Sequence, residues 1–272
     1  MPVAEANGVK LYYEQLGDRG DPLLLIHGSW TDHSNWNPVV AGLSETFRVV
    51  VYDRRGHGLS EKPVTQGSGE EDARDAAALL ARLEMSPAHI VGNSSGGSIA
   101  LKLAAAQPQL FRSLTAHEPP LFKLLNDDPL VQSALAEGNR RRDQVIRVLE
   151  GGDMVGAARL FVETLTSGPG AWDRMSPQAR ERMAANADTW LDETRDPEGS
   201  NVNLDALSRF DRPARLTYGG KGMRGSKLVV ESIAKAIPNS RVEFDPEAGH
   251  SPHVTNPREF VRRVTAFALS SP

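Results

Sequence analysis

Along this chain, short apolar runs rich in β-branched residues alternate with segments whose apolar positions recur at helical spacing. Residues 9–14, 23–27 and 47–53 read as strands, and the runs Leu23-Leu24-Leu25-Ile26 and Val49-Val50-Val51-Tyr52 are continuous enough for strands covered on both faces. Residues 36–43 fit a short helix, and 70–84 a longer one with Ala77, Leu80 and Leu83 at helical spacing. Ile90-Val91 then leads into a glycine-serine turn, a helix over 99–106 that stops before Pro108, and a strand over 112–117 ending at Glu118-Pro119-Pro120. Alternation of this kind predicts an α/β chain, a mainly parallel central sheet flanked by helices on both faces.

The pattern changes after that strand. Residues 121–210 carry helical periodicity over 144–149, 155–165 and 179–191 with no convincing strand, whereas strand and helix signals return at 214–218, 227–237, 241–244 and 257–269. The division expected is a core of residues 1–120 and 211–272 interrupted by a helical cap over 121–210. Such an insertion would cover the carboxyl ends of the strands, where open α/β sheets bind ligands.

Composition narrows the function classes. The 272 residues suffice for one sizeable core with a subdomain. A net charge of -4, with Arg140-Arg141-Arg142 the longest basic block, leaves nothing to attract a polyanion, so no nucleic-acid partner is expected. The chain has no cysteine, which removes disulfides, thiolate catalysis and zinc-thiolate sites together. Neither a signal segment nor a run of eighteen apolar residues is visible, so a cytoplasmic location without membrane attachment is the expectation.

Candidate chemistry centres on Ser94 in Gly92-Asn93-Ser94-Ser95-Gly96. A sharp strand-to-helix turn strains its central residue and crowds the neighbouring backbone, so small residues two before and two after it are a steric requirement. The pentapeptide alone would also fit a chance match in a chain of 24 glycines, or a cofactor loop; the strand before it and the alanine-rich helix after it favour a nucleophile. A serine nucleophile needs an imidazole base, and that imidazole needs an acceptor for its far nitrogen. Of seven histidines, His250 follows the expected last strand in Gly249-His250-Ser251-Pro252-His253 and is the best placed base; His253 is its rival. His27 and His57 read as loop and turn residues, and so does Asp53.

Four segments together resemble the α/β-hydrolase superfamily over essentially the whole chain: His27-Gly28-Ser29-Trp30, the stretch Asp53-Arg54-Arg55-Gly56-His57-Gly58-Leu59-Ser60, the Ser94 turn, and Gly249-His250. The resemblance implies an α/β-hydrolase fold in which the backbone amides of Ser29 and Ser95 form the oxyanion hole. It also exposes a departure. The family most often places its triad acid after the strand that here covers 214–218, but residues 218–226, Tyr-Gly-Gly-Lys-Gly-Met-Arg-Gly-Ser, contain no carboxylate. Glu118, at the end of the strand after the nucleophile helix, stands where zearalenone-type lactonases carry their acid; Asp211 and Asp245 are the alternatives.

The triad Ser94, His250 and Glu118 implies a serine esterase or lactonase that acts on a small, largely apolar substrate through an acyl-enzyme, without metal or organic cofactor. Carbon–carbon bond hydrolysis and cofactor-free perhydrolysis use the same triad and remain open, as do hydroxynitrile-lyase chemistry and a non-enzymatic receptor for a small ligand. Trp30, Leu121, Phe122, Phe161, Trp172, Met183 and Trp190 are candidates to line the pocket, though each could equally be core. A homodimer is compatible with the sequence.

Overall fold

The computed structural model describes residues 2–271. Eight strands, β1 (Val3–Ala6), β2 (Val9–Leu16), β3 (Pro22–Ile26), β4 (Arg48–Tyr52), β5 (Ala88–Asn93), β6 (Phe111–His117), β7 (Ala214–Lys221) and β8 (Ser240–Gly249), form one sheet in the order β1-β2-β4-β3-β5-β6-β7-β8. β1 and β2 run antiparallel to their neighbours, and β4, β3, β5, β6, β7 and β8 are mutually parallel. The sheet alternation read from sequence is therefore present, with one addition. β1 was not anticipated; it forms a hairpin with β2 through Asn7 and Gly8, which both take positive φ (49° and 79°), as a two-residue primed turn demands.

The helices are α1 (Asn37–Ser44), α2 (Gly69–Arg82), α3 (Ser95–Ala106), α4 (Gln132–Glu150), α5 (Met154–Phe161), α6 (Ala171–Arg174), α7 (Pro177–Ala185), α8 (Thr189–Arg195), α9 (Leu204–Leu207), α10 (Ser226–Ala236), α11 (Pro252–Thr255) and α12 (Pro257–Leu269). Six of them, α4–α9, lie between β6 and β7. Two differences from expectation are local. The single helix expected over 179–191 is broken into α7 and α8 at Asn186, and the segment expected over 155–165 runs as α5 into one π-helical turn, Val162–Thr166. Among the described residues, no helix is long and apolar enough to cross a membrane.

The period of two along β3 explains the layering. Leu24 and Ile26 face one apolar layer with Leu80, Ile99, Leu103 and Val230 from α2, α3 and α10, while Leu23 and Leu25 face another with Val39, Leu43 and Val264 from α1 and α12. A third cluster lies in the helical insertion, where Val145, Leu149, Ala158, Trp172 and Trp190 gather around Trp30 of the core. With helices on both faces, the central strand β3 is wholly buried, whereas the edge strand β8 leaves Val242 and Phe244 exposed.

Candidate active site

Ser94 sits between the last residue of β5 and the first of α3, with φ 56° and ψ −127°. A non-glycine residue there is strained by about 1–3 kcal/mol, held in place by its surroundings. Its amide donates to the His117 carbonyl at 2.9 Å, and its own carbonyl accepts from the amides of Gly97 at 2.8 Å and Ser98 at 3.1 Å. The two flanking glycines are sterically obligatory: a Cβ on Gly92 would lie 2.2 Å from the Gly96 carbonyl oxygen, and one on Gly96 would lie 2.1 Å from that of Ile26. The small-residue pattern around the serine thus has the cause inferred for it.

Glu118, the first residue beyond β6, also takes positive φ (46°) and is wholly buried. Its Oε2 accepts from His250 Nδ1 at 2.7 Å and from the Met223 amide at 2.8 Å, and its Oε1 accepts from the Gly219 amide at 3.0 Å. The segment that lacks a carboxylate is therefore the one that holds Glu118. Its glycines make this possible, since a Cβ on Gly222 would lie 1.8 Å from Glu118 Oε1. Burial pushes the Glu118 carboxyl up, but the hydrogen bond and charge of His250, with the Met223 amide, outweigh it and hold the group below the usual carboxylate range. With Nδ1 of His250 donating to a carboxylate, Nε2 is left as the basic nitrogen.

Two side chains that sequence reasoning missed position the His250 loop. Asn93, next to Ser94, donates through Nδ2 to the His250 carbonyl at 2.8 Å. His117, its register partner across β5 and β6, donates through Nε2 to the preceding carbonyl, that of Gly249, at 3.1 Å. A carbonyl only accepts, so His117 carries its proton on Nε2 and takes the Thr217 hydroxyl on Nδ1 at 2.8 Å. Burial lowers its pKa to about 4, which keeps that tautomer neutral.

The rival residues are engaged elsewhere. His253 lies buried against Trp36, with ring centroids 4.2 Å apart, accepts from Asn35 Nδ2 at 2.8 Å, and has its pKa lowered to about 3 by burial. Asp245 pairs with Arg263 at 3.1 Å, and the Asp211 side chain is 77 % exposed beside Arg212. His27 donates to the Gly28 carbonyl and accepts the Arg54 amide; Asp53 accepts from the amides of His33 and Leu59. Both are turn residues, as read.

Ser29 and Ser95 stand side by side, their hydroxyl oxygens 2.6 Å apart, and among the described residues neither backbone amide has an acceptor within the protein. A carboxylate from the insertion, Glu193 on α8, accepts hydrogen bonds from the Ser29 hydroxyl and from Arg54, a contact spanning more than a hundred residues that no local sequence signal announces. Beside Ser95 opens a cavity of about 70 Å³ bordered by Arg54, His57, Ser98, Lys102, Asp72 and Glu193. The pocket residues expected from sequence do not line it. Trp30 is wholly buried, stacks on Phe161 at 5.0 Å and meets Trp190 in a tilted pair at 5.4 Å, with Trp172 and Met183 in the same cluster, while Leu121 and Phe122 pack into the layer of α3 and α10. Their apolar area joins the insertion to the core, and the residues that border the cavity beside Ser95 are mostly polar in type.

Residues 21–257 match the family model for the alpha/beta hydrolase fold. The chain is 28 % identical over 269 residues, 97 % of its length and 68 % of the relative's, to the dihydrolipoyllysine-residue acetyltransferase component of the acetoin cleaving system of Pseudomonas putida. It is 24 % identical over 270 residues, 96 % of its length and 84 % of the relative's, to the serine hydrolase BPHL of Homo sapiens. Among solved structures, Est816, described as an N-acyl homoserine lactone degrading enzyme, superposes with a TM-score of 0.79 at 26 % identity, covering 98 % of this chain and 100 % of that one. Eight strands in this order, a strained serine at the β5–α3 turn and a family match over most of its length together establish that the chain belongs to the α/β-hydrolase fold family.

Proposed function

We propose that this hydrolase cleaves a carboxylic ester or lactone of a small substrate through an acyl-enzyme on Ser94, with the helical insertion acting as a cap over the site. Ser94 Oγ attacks the carbonyl carbon while His250 Nε2 takes its proton, and Glu118 stabilises the resulting imidazolium. The oxyanion is received by the amides of Ser29 and Ser95, each worth about 3 kcal/mol in comparable sites. His250 returns the proton to the leaving alkoxide, which departs as the alcohol. A water molecule then loses its proton to His250 and attacks the acyl carbon, and Ser94 leaves with that proton, giving an acid and an alcohol, or a single hydroxy acid from a lactone.

The observation that carries this reading is the buried Glu118–His250 contact at 2.7 Å, on a loop whose His250 carbonyl is tied to Asn93, the residue before Ser94. The lactone-degrading description of Est816 supports the ester and lactone class. The test is hydrolysis of aryl esters and lactones by wild type and Ser94→Ala, with intact-protein mass spectrometry after exposure to an organophosphonate. Turnover and a covalent adduct that both vanish in the variant are expected. Turnover that survives in Ser94→Ala, or a wild type giving neither signal, overturns the reading.

A further inference from the structure

The cavity beside Ser95 contains a contact that the hydrolysis scheme does not use. Glu193 Oε2 takes the Ser29 hydroxyl and lies 3.3 Å from the Ser95 hydroxyl, while its Oε1 takes Arg54 Nη2. The three donors come from three successive core turns, after β3, β4 and β5, and converge on one carboxylate reaching in from α8. Arg54 is 1 % exposed, so its charge has to be answered locally. Its other acidic neighbour, Asp72, stands off at 3.9 Å with Oδ1 unpartnered, and burial raises its pKa to about 7, so it supplies only part of the negative charge near neutrality. Glu193 is the anion that meets Arg54 directly.

We propose that the hydroxyls of Ser29 and Ser95 with the Arg54 guanidinium form a carboxylate-binding cradle, and that Glu193, by occupying it, makes the site select against acyl groups ending in a carboxylate. This rests on the ester-hydrolase reading. The amides of the same two serines would hold the reacting oxygen, so an acyl chain of a few carbons whose far end is anionic would place its charge at or beside Glu193. Either two carboxylates then share one guanidinium, or Glu193 is displaced and left unpaired. A neutral acyl group leaves the Glu193 bridge intact.

The test compares aryl hemisuccinate and hemiglutarate with neutral aryl esters of matched length, for wild type, Glu193→Ala, Glu193→Gln and Arg54→Met/Glu193→Ala. The ratio of kcat/KM for anionic over neutral ester is expected to rise at least tenfold in Glu193→Ala, less in Glu193→Gln, whose amide still fills the cradle, and to fall back when Arg54 is also removed. A purely structural Glu193 would slow both substrates alike and leave the ratio unchanged. Acetate, a free carboxylate, is expected to raise the melting temperature of Glu193→Ala and not that of wild type. An unchanged ratio, a wild type that already prefers the anionic ester, or no acetate effect on Glu193→Ala overturns the proposal; if Glu193→Ala does not fold, the ratio in Glu193→Gln decides. Melting needs no turnover. An acetate shift confined to Glu193→Ala with no ester cleaved by wild type would overturn the ester reading and uphold the cradle, and cleavage of neutral ester with an unchanged ratio would do the reverse.

Discussion

Glu118→Gln removes one charge at nearly constant shape, and the structure fixes what the new amide would meet. An amide nitrogen at the Oε2 position would face two donors, His250 Nδ1 and the Met223 amide; at the Oε1 position it would face the Gly219 amide. Every orientation leaves at least one buried donor unsatisfied, at about 1–3 kcal/mol of stability. The alternative is that His250 moves its proton to Nε2 and takes the glutamine amide on Nδ1, which abolishes the base. In a serine triad that wrong tautomer lowers kcat about 10⁴-fold, roughly 5 kcal/mol of transition-state stabilisation. The assay is kcat for a neutral aryl ester beside Asp211→Asn and Asp245→Asn, which are expected to keep most activity. Since Glu118 titrates lower in the folded than the unfolded chain, its contribution to stability is present above its ordinary pKa of 4.5 and is lost as pH falls through the folded value. The stability gap between wild type and Glu118→Gln, measured by denaturant unfolding, therefore closes on acidification below that range. A Glu118→Gln enzyme retaining more than about a tenth of kcat, or a large loss confined to either aspartate variant, would refute the reasoning.

Ser94→Gly is expected to abolish turnover while stabilising the fold by about 1 kcal/mol in urea unfolding, because glycine relieves the positive φ; Gly96→Ala, with a Cβ driven 2.1 Å from the Ile26 carbonyl oxygen, is expected to give no soluble folded protein. Asn93→Ala frees the His250 carbonyl and is expected to lower kcat tenfold or more with KM little changed, of the order of 1–2 kcal/mol in the transition state; a rise in KM alone would mean that Asn93 acts on substrate binding. Asp72 titrates at about 7 in the fold against 3.8 in the unfolded chain, so its burial costs stability that is absent below 3.8 and complete above 7. Asp72→Asn is accordingly expected to raise the melting temperature at pH 8 relative to wild type and to leave it unchanged at pH 3.5.

What the sequence made legible follows from the range over which each cause acts. The steric demands of the Ser94 turn lie within five residues, Gly92 to Gly96, and the alternation of Leu23, Leu24, Leu25 and Ile26 between two apolar layers is a local period; both can be read from a string. Even the missed hairpin carried its own signal in Asn7-Gly8, hidden only because a four-residue edge strand is too short to show a pattern. Glu118 was legible for a further reason. A glycine-rich segment without a carboxylate directed attention to an acid elsewhere, and those same glycines are what lets the backbone close around the Glu118 carboxylate. The aromatic candidates, Trp30 and those of the insertion, were ambiguous because burial and ligand contact call for the same side chains. Trp30, Phe161 and Trp190 pack their rings against one another, so their number carried no information about what borders the serines. The Arg54–Glu193 contact lies at the far limit. Its partners are separated by 139 residues, and nothing near Glu193 distinguishes it from Asp192, the other acid of α8. One half of the signal was nonetheless present: Arg54-Arg55 lies one residue beyond the buried run Val49-Val50-Val51-Tyr52, and two guanidiniums entering a buried turn require two anions. Arg55 finds Asp75 on α2, within the core; Arg54, 3.9 Å from Asp72, finds a directly hydrogen-bonded carboxylate only when the insertion folds over it, which ties the placement of that helical layer to the chemistry of the turn beneath it.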